Sequence, residues 1–140
     1  MLLILVFFFL GWTSDVRAQH VANVTVIGLD YAYQAPTTLP AGLTTFAFEN
    51  RGKVVHEVVI GRLKPGITLD SIMHSEPGPA RRALVKNVGI LVAEPGESPL
   101  GRLEVELSAG ETYVLYCNFQ DAPDKPRHMM MGMFASIQVK

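Results

Sequence analysis

The chain has 140 residues, with 12 Lys and Arg against 13 Asp and Glu for a formal net charge of −1. That length suits one ordinary domain with a single core and leaves no room for two. The basic residues are dispersed rather than clustered, which excludes a nucleic-acid footprint, and a single cysteine excludes an internal disulfide.

The first element is an apolar run, Met1 to Leu10, broken by Gly11 and Trp12. It is shorter than the roughly 20 apolar residues needed to span a bilayer. It fits the apolar centre of a secretory signal peptide, and Val16-Arg17-Ala18 reads as the cleavage site. No Lys or Arg precedes the run, so the amino terminus alone supplies the leading charge; an uncleaved apolar anchor is the alternative. Residues 1–18 are therefore expected to be a signal peptide and residues 19–140 the mature domain, starting at Gln19, periplasmic or secreted, with no stable membrane span. In an oxidising compartment an unpaired cysteine is a liability unless it is buried or committed to a metal. Asn23-Val24-Thr25 matches a glycosylation sequon but reads more plainly as alternation within a strand.

From there, apolar runs alternate with Gly, Pro and Asn punctuation at short intervals, which predicts an all-β sandwich. Val21 to Leu29 alternates as a first strand, and Tyr31 to Pro40 reads as a proline-containing connection. Gly42 to Glu49 alternates with Phe46 and Phe48 on one face. Asn50-Arg51-Gly52-Lys53 is a turn signal, and Val54 to Ile60 reads as the second strand of a hairpin. Ile67 to Ser75 suits a short helix, because Leu69, Ile72 and Met73 share one side. Glu76 to Pro79 is a loop, Ala80 to Lys86 a second helical candidate and Val88 to Ala93 a strand. After the loop Glu94 to Pro99, strands are expected over Leu103 to Leu107, Thr112 to Cys117 and Phe134 to Val139.

The chemistry concentrates near the C-terminus. Cys117 closes the run Tyr113-Val114-Leu115-Tyr116, and His128-Met129-Met130-Met131-Gly132-Met133 follows shortly after. A thiolate, an imidazole and a thioether in one loop region form the ligand set that suits copper in both oxidation states, and His56 is the candidate second imidazole. Each residue also has a plainer reading: an inert buried Cys, methionines as core gap-fillers, and a His56 satisfied within an ordinary strand. His74 falls near a helix end and reads as exposed. His20 would chelate through an N-terminal amine only if Gln19 were also removed.

Three segments sharpen the assignment. Asn50-x-Gly52-x-x-x-His56-x-Val58-Val59-Ile60, Ala109-Gly110-Glu111-x-Tyr113-x-x-Tyr116-Cys117 and His128-x-x-x-Gly132-Met133 resemble, in order, the ligand-bearing segments of the cupredoxins, the plastocyanin- and azurin-like blue copper proteins. The resemblance covers most of the mature chain. It implies a Greek-key β-sandwich with one or two short helices in the middle connection. It also implies one type 1 copper per chain, with His56, Cys117 and His128 as equatorial ligands and Met133 as the axial one. Two departures stand out. The stretch from Asn118 to Arg127 is longer than the ligand loops of plastocyanin or azurin, and Glu57 follows the first histidine where those proteins often carry an Asn that ties two ligand loops together.

The expected function is that of an exported single-electron carrier, not an enzyme, since no acid/base pair or open coordination position is evident beside the ligands. Its partners are expected to be redox proteins that dock transiently on a monomer. The electron is expected to leave through an exposed His128 edge rimmed by Pro126, Met129 and Met130, with Asp121, Asp124, Lys125 and Arg127 steering the partner. The rivals are a copper-handling protein that carries or stores Cu(I) on its methionines, and a metal-free interaction domain.

Overall fold

The computed structural model describes residues 21–140. The predicted signal peptide and His20 lie outside the described residues. Among the described residues no helix is long and apolar enough to cross a membrane.

Two sheets face each other. The first contains β1 (Ala22–Leu29), β2 (Ala32–Gln34), β4 (Gly42–Asn50) and β7 (Leu103–Leu107) in the order β2-β1-β4-β7. The second orders β3 (Thr38–Leu39), β9 (Phe134–Val139), β8 (Thr112–Tyr116), β5 (His56–Leu63) and β6 (Val85–Ala93) as β3-β9-β8-β5-β6. Two short helices, α1 (Leu69–Met73) and α2 (Pro79–Leu84), occupy the connection between β5 and β6. The expected β-sandwich with short middle helices is the observed architecture.

Period-2 alternation builds the interior. Val24 and Val26 of β1, Phe46 and Phe48 of β4, Val58 and Ile60 of β5 and Leu115 of β8 point between the sheets into one cluster. A second cluster lies on the outer face of the second sheet, where Val59, Leu63, Val114 and Tyr116 meet Ile72 of α1, and Met129 joins them. Strands β5 and β8 are therefore buried on both faces, which is why they read as near-continuous apolar runs.

Two sequence expectations change. The connection Tyr31 to Pro40 contains β2 and β3, which hydrogen-bond to β1 and β9 at the sheet edges. Three- and two-residue edge strands flanking Pro36 carry too little pattern to be read. The turn at residues 50–55 does not close a hairpin: β4 pairs with β1 and β7, whereas β5 pairs with β6 and β8 in the other sheet. Strand alternation is the same for a hairpin and a sheet crossover, so periodicity did not distinguish them. This crossover carries His56 to the end of the sandwich where β8 terminates.

Candidate metal centre

Asn50, the last residue of β4, organises the crossover. Its buried amide donates to the carbonyls of Val54 (2.8 Å) and Ala93 (3.0 Å), and its Oδ1 accepts the N–H of Gly52 (2.9 Å). Both ends of the side chain are thus satisfied, and the loop is folded tightly enough to deliver His56 as the first residue of β5. Gly52 is required by close approach: a Cβ there would sit 2.7 Å from His56 Nε2 and 2.9 Å from its Cδ2.

On the other side, Cys117 follows β8 directly, and His128 opens a single 3₁₀ turn, His128–Met131, that ends at Gly132 with φ 115°. Backbone bonds lash these pieces together. Met129 N–H donates to Cys117 O (2.9 Å), Cys117 N–H to Met133 O (3.2 Å), Met133 N–H to His128 O (3.0 Å) and His128 N–H to Phe119 O (2.8 Å). The long segment from Asn118 to Arg127 therefore leaves and returns at nearly one point, so its length does not separate Cys117 from His128.

The donor atoms converge. His56 Nδ1 lies 3.1 Å from His128 Nδ1, and Cys117 Sγ lies 3.4 Å from His128 Nδ1. All three ligand atoms fall within 4.8 Å of one another, and all three residues are buried. Nitrogen and sulfur ligands sit about 2.0–2.3 Å from a metal, so these separations are spanned by one ion. The protonation pattern agrees. Asp121 Oδ1 lies 2.9 Å from His128 Nε2, which places the ring proton there and leaves the lone pair on Nδ1, facing the other donors. Among the described residues His56 Nε2 has no hydrogen-bond partner, so no bond on the far side of that ring fixes its tautomer. Burial, and then the neighbouring His128, push His56 down in pKa. Burial pushes the Cys117 thiol up to about 11, against backbone N–H groups of Glu57 and Phe119 aimed at the sulfur. A thiol and two imidazoles in a buried pocket suit copper or zinc and do not suit magnesium or calcium.

The comparisons with known proteins agree on architecture. No family model and no curated protein matches the chain. Solved structures do. An auracyanin of the photosynthetic bacterium Roseiflexus castenholzii superposes with a TM-score of 0.54 at 20% identity, over 89% of this chain and 99% of that one. Auracyanin A of Chloroflexus aurantiacus, described as a "blue" copper protein, gives 0.54 at 17% identity over 86% and 100%. Rusticyanin of Thiobacillus ferrooxidans gives 0.54 at 20% identity over 86% and 77%. The chain has the cupredoxin fold.

Within that fold, Met133 is buried just past the 3₁₀ turn that His128 opens, its Cε 3.4 Å from where a Cβ on Gly28 would stand. Met129 is equally buried but joins the outer cluster, and Met130 and Met131 are 52% and 41% exposed. His74 is exposed, with Asp70 Oδ1 at 3.2 Å, and is not one of the three converging donors. The expectation of an exposed His128 edge does not hold. The ring is 1% exposed, its Nε2 is held by Asp121, and Tyr31 packs edge-on at 5.1 Å between centroids. The surface nearest this histidine is a cleft of about 370 Å³ lined by His128, Val54, Val55, Pro95 and Phe119 together with Lys53 and Asp121.

Glu57 keeps the tie between ligand segments in another chemical form. Its Oε1 accepts the backbone N–H of Asn118 (2.9 Å) and the Asn118 amide (3.3 Å), joining the residue after His56 to the residue after Cys117. Sequence reasoning placed Gly52 only within the first ligand-bearing segment and Asp121 only as a partner-steering charge, and it did not single out Tyr31. Tyr31 stands at φ 59° and donates to Asp121 Oδ2 at 2.5 Å, holding Asp121 against His128. Only the three-dimensional contact reveals that relay.

A methyl group at position 52 should displace the His56 ring while leaving every donor in the chain. Gly52→Ala is expected to weaken copper binding by about 10–100-fold, the usual effect of disturbing a ligand's support, with an unchanged far-ultraviolet circular dichroism spectrum. Chelator competition measures the affinity; wild-type affinity in this variant would mean that the close approach does not set the ring position.

Proposed function

We propose that the chain is an exported type 1 copper protein that carries single electrons, with His56, Cys117 and His128 as equatorial ligands and Met133 as the axial one. The observation that carries this reading is the convergence of two imidazole Nδ1 atoms and the only thiol in one buried pocket. Bound copper would supply a one-electron couple. The protein's part is to hold the donors so that both oxidation states meet nearly the same surroundings. Asp121 fixes the His128 tautomer, Gly52 and Asn50 set the His56 ring, and the backbone lashing of Cys117 to Met129 and Met133 limits loop movement. Burial of all three donors leaves no open face for a substrate, which favours a carrier over an enzyme.

Export is supported by the leader-like composition of residues 1–18, whose removal would cost none of the elements described, since β1 starts at Ala22. A redox partner would dock transiently at the cleft bordered by Val54, Val55, Pro95 and Phe119, a partly apolar surface of the kind that marks contact sites. Exposure of the Met130 and Met131 thioethers favours a second reading, delivery or storage of Cu(I). The visible spectrum of the Cu(II)-loaded mature protein separates the two: intense blue absorption for the carrier, colourless Cu(I) uptake for the handling protein.

The axial assignment rests on elimination among four methionines. Met130 and Met131 point to solvent and Met129 packs into the outer cluster, leaving Met133. A weak axial thioether tunes potential more than it holds the metal. Met133→Leu, nearly equal in volume, should therefore keep copper and raise the reduction potential. Voltammetry decides it: a potential that moves with Met130→Leu and not with Met133→Leu would sink the assignment.

A further inference from the structure

The fold gathers three arginines that are scattered in the sequence. Arg81 and Arg82 of α2 and Arg127 at the end of the long loop line one cleft of about 210 Å³ with Asn87, Tyr116 and Asn118. Arg81 is only 5% exposed. Its guanidinium donates from Nη1 to Asn118 Oδ1 (2.6 Å), from Nη2 to Ser75 O (2.6 Å) and from Nε to Ser75 Oγ (3.2 Å), and it lies 5.9 Å from the Tyr116 ring centroid. These acceptors are all neutral. Three of its five N–H donors are used, and its charge is not cancelled.

Among the described residues none of the three arginines makes an ion pair. Glu76 is near enough to be felt by Arg81 but not bonded to it, and Glu57 is engaged by Asn118. A buried guanidinium without a carboxylate, beside a second cation, is costly unless an anion completes the site. Burial, followed by the Arg127 charge, indeed weakens the hold of Arg81 on its proton. Further donors are to hand: Asn87 accepts from Tyr116 through Oδ1 (2.7 Å), leaving its amide N–H groups, and Arg127 spends one donor on Asn118 O (2.6 Å).

We propose that this cleft is a binding site for a small oxyanion of the phosphate or sulfate class. Planar guanidinium forks match oxyanion geometry, and a confined cleft of about 210 Å³ suits a free ion. Asn118 and Arg127 adjoin the candidate ligands Cys117 and His128 in the chain, but none of the three donors lines the cleft, so the metal-free chain carries it.

The test is a phosphate titration of the metal-free mature chain, followed by amide NMR, against sodium chloride at equal ionic strength. Saturable shifts are expected at the Asn118 backbone and at the side-chain amides of Asn87 and Asn118, with sulfate competing. Arg127→Gln should weaken binding by about tenfold or more, the loss of one charge-assisted bond. Arg82→Gln, at an exposed position, should weaken it several-fold without disturbing the ligand loop, and Lys53→Gln should leave it unchanged. Shifts that follow chloride, affinity unchanged in both arginine variants, or preference for acetate over phosphate and sulfate would each overturn the proposal. Because the titration uses metal-free protein, its failure would not bear on the copper reading, nor would failure of copper loading bear on it.

Discussion

Cys117→Ser should abolish the intense visible absorption of the Cu(II)-loaded protein and leave the sandwich folded. The band of a blue site arises from sulfur-to-copper charge transfer, and the chain has no second thiol to substitute. The fold should survive because the replacement hydroxyl would meet polar company. Backbone N–H groups of Glu57 and Phe119 already aim at this position, and His128 Nδ1 lies 3.4 Å from the sulfur. A buried hydroxyl with such partners costs far less than the roughly 1–3 kcal/mol of an unsatisfied one. Absorption and near-ultraviolet circular dichroism recorded together check both halves. A retained blue band would end the copper-thiolate assignment, whereas a lost band with a lost fold would call for Cys117→Ala as the second variant.

The parts of this arrangement that were readable in the sequence are those set by local pattern. Alternation placed seven of the nine strands, β7 and β9 to the residue, because burial on one face repeats every second position. Spacing of Leu69, Ile72 and Met73 located α1, and Thr68 caps it by accepting the Ser71 N–H. Soft donors with the right partners drew attention to His56, Cys117 and His128, which the fold brings together. What the sequence could not carry is set by distant contact. Asp121 lies in a polar loop of no pattern, yet it covers His128. Tyr31 adopts a positive φ that no local rule assigns to tyrosine. The exposed-histidine expectation failed for the same reason: a histidine beside three methionines looks like a surface rim until Asp121 and Tyr31 are seen to close over it.

Glu57 illustrates a subtler limit. Its place after His56 marked a departure, but sequence alone did not reveal that a carboxylate performs the tie, accepting from Asn118 where an amide would both donate and accept. Asn118 in turn receives Arg81, so the ligand loop is linked through one side chain to α2. The two helices, unremarkable as short amphipathic turns, thereby become the outer support of the Cys117 segment.

Copper loading should produce the largest stability change available to this chain. His56 Nδ1 and Cys117 Sγ lie 3.1 Å and 3.4 Å from His128 Nδ1, so one ion held by all three would tie β5, the end of β8 and the 3₁₀ turn together. A ligand that binds only the folded state at 1,000 times its dissociation constant adds about 4.1 kcal/mol. For a domain of this size that corresponds to a rise in Tm of roughly 10–20 °C. The thiol must give up its proton to bind, and burial holds it up to about 11, so uptake near neutral pH should release a proton and affinity should fall as the solution is acidified. Calorimetry on metal-free and loaded protein measures the shift. His56→Ala should lose most of it, and Met133→Leu should retain most of it, since the axial thioether contributes little to holding the metal. An equal rise in Tm for wild type and His56→Ala would place the copper elsewhere on the chain.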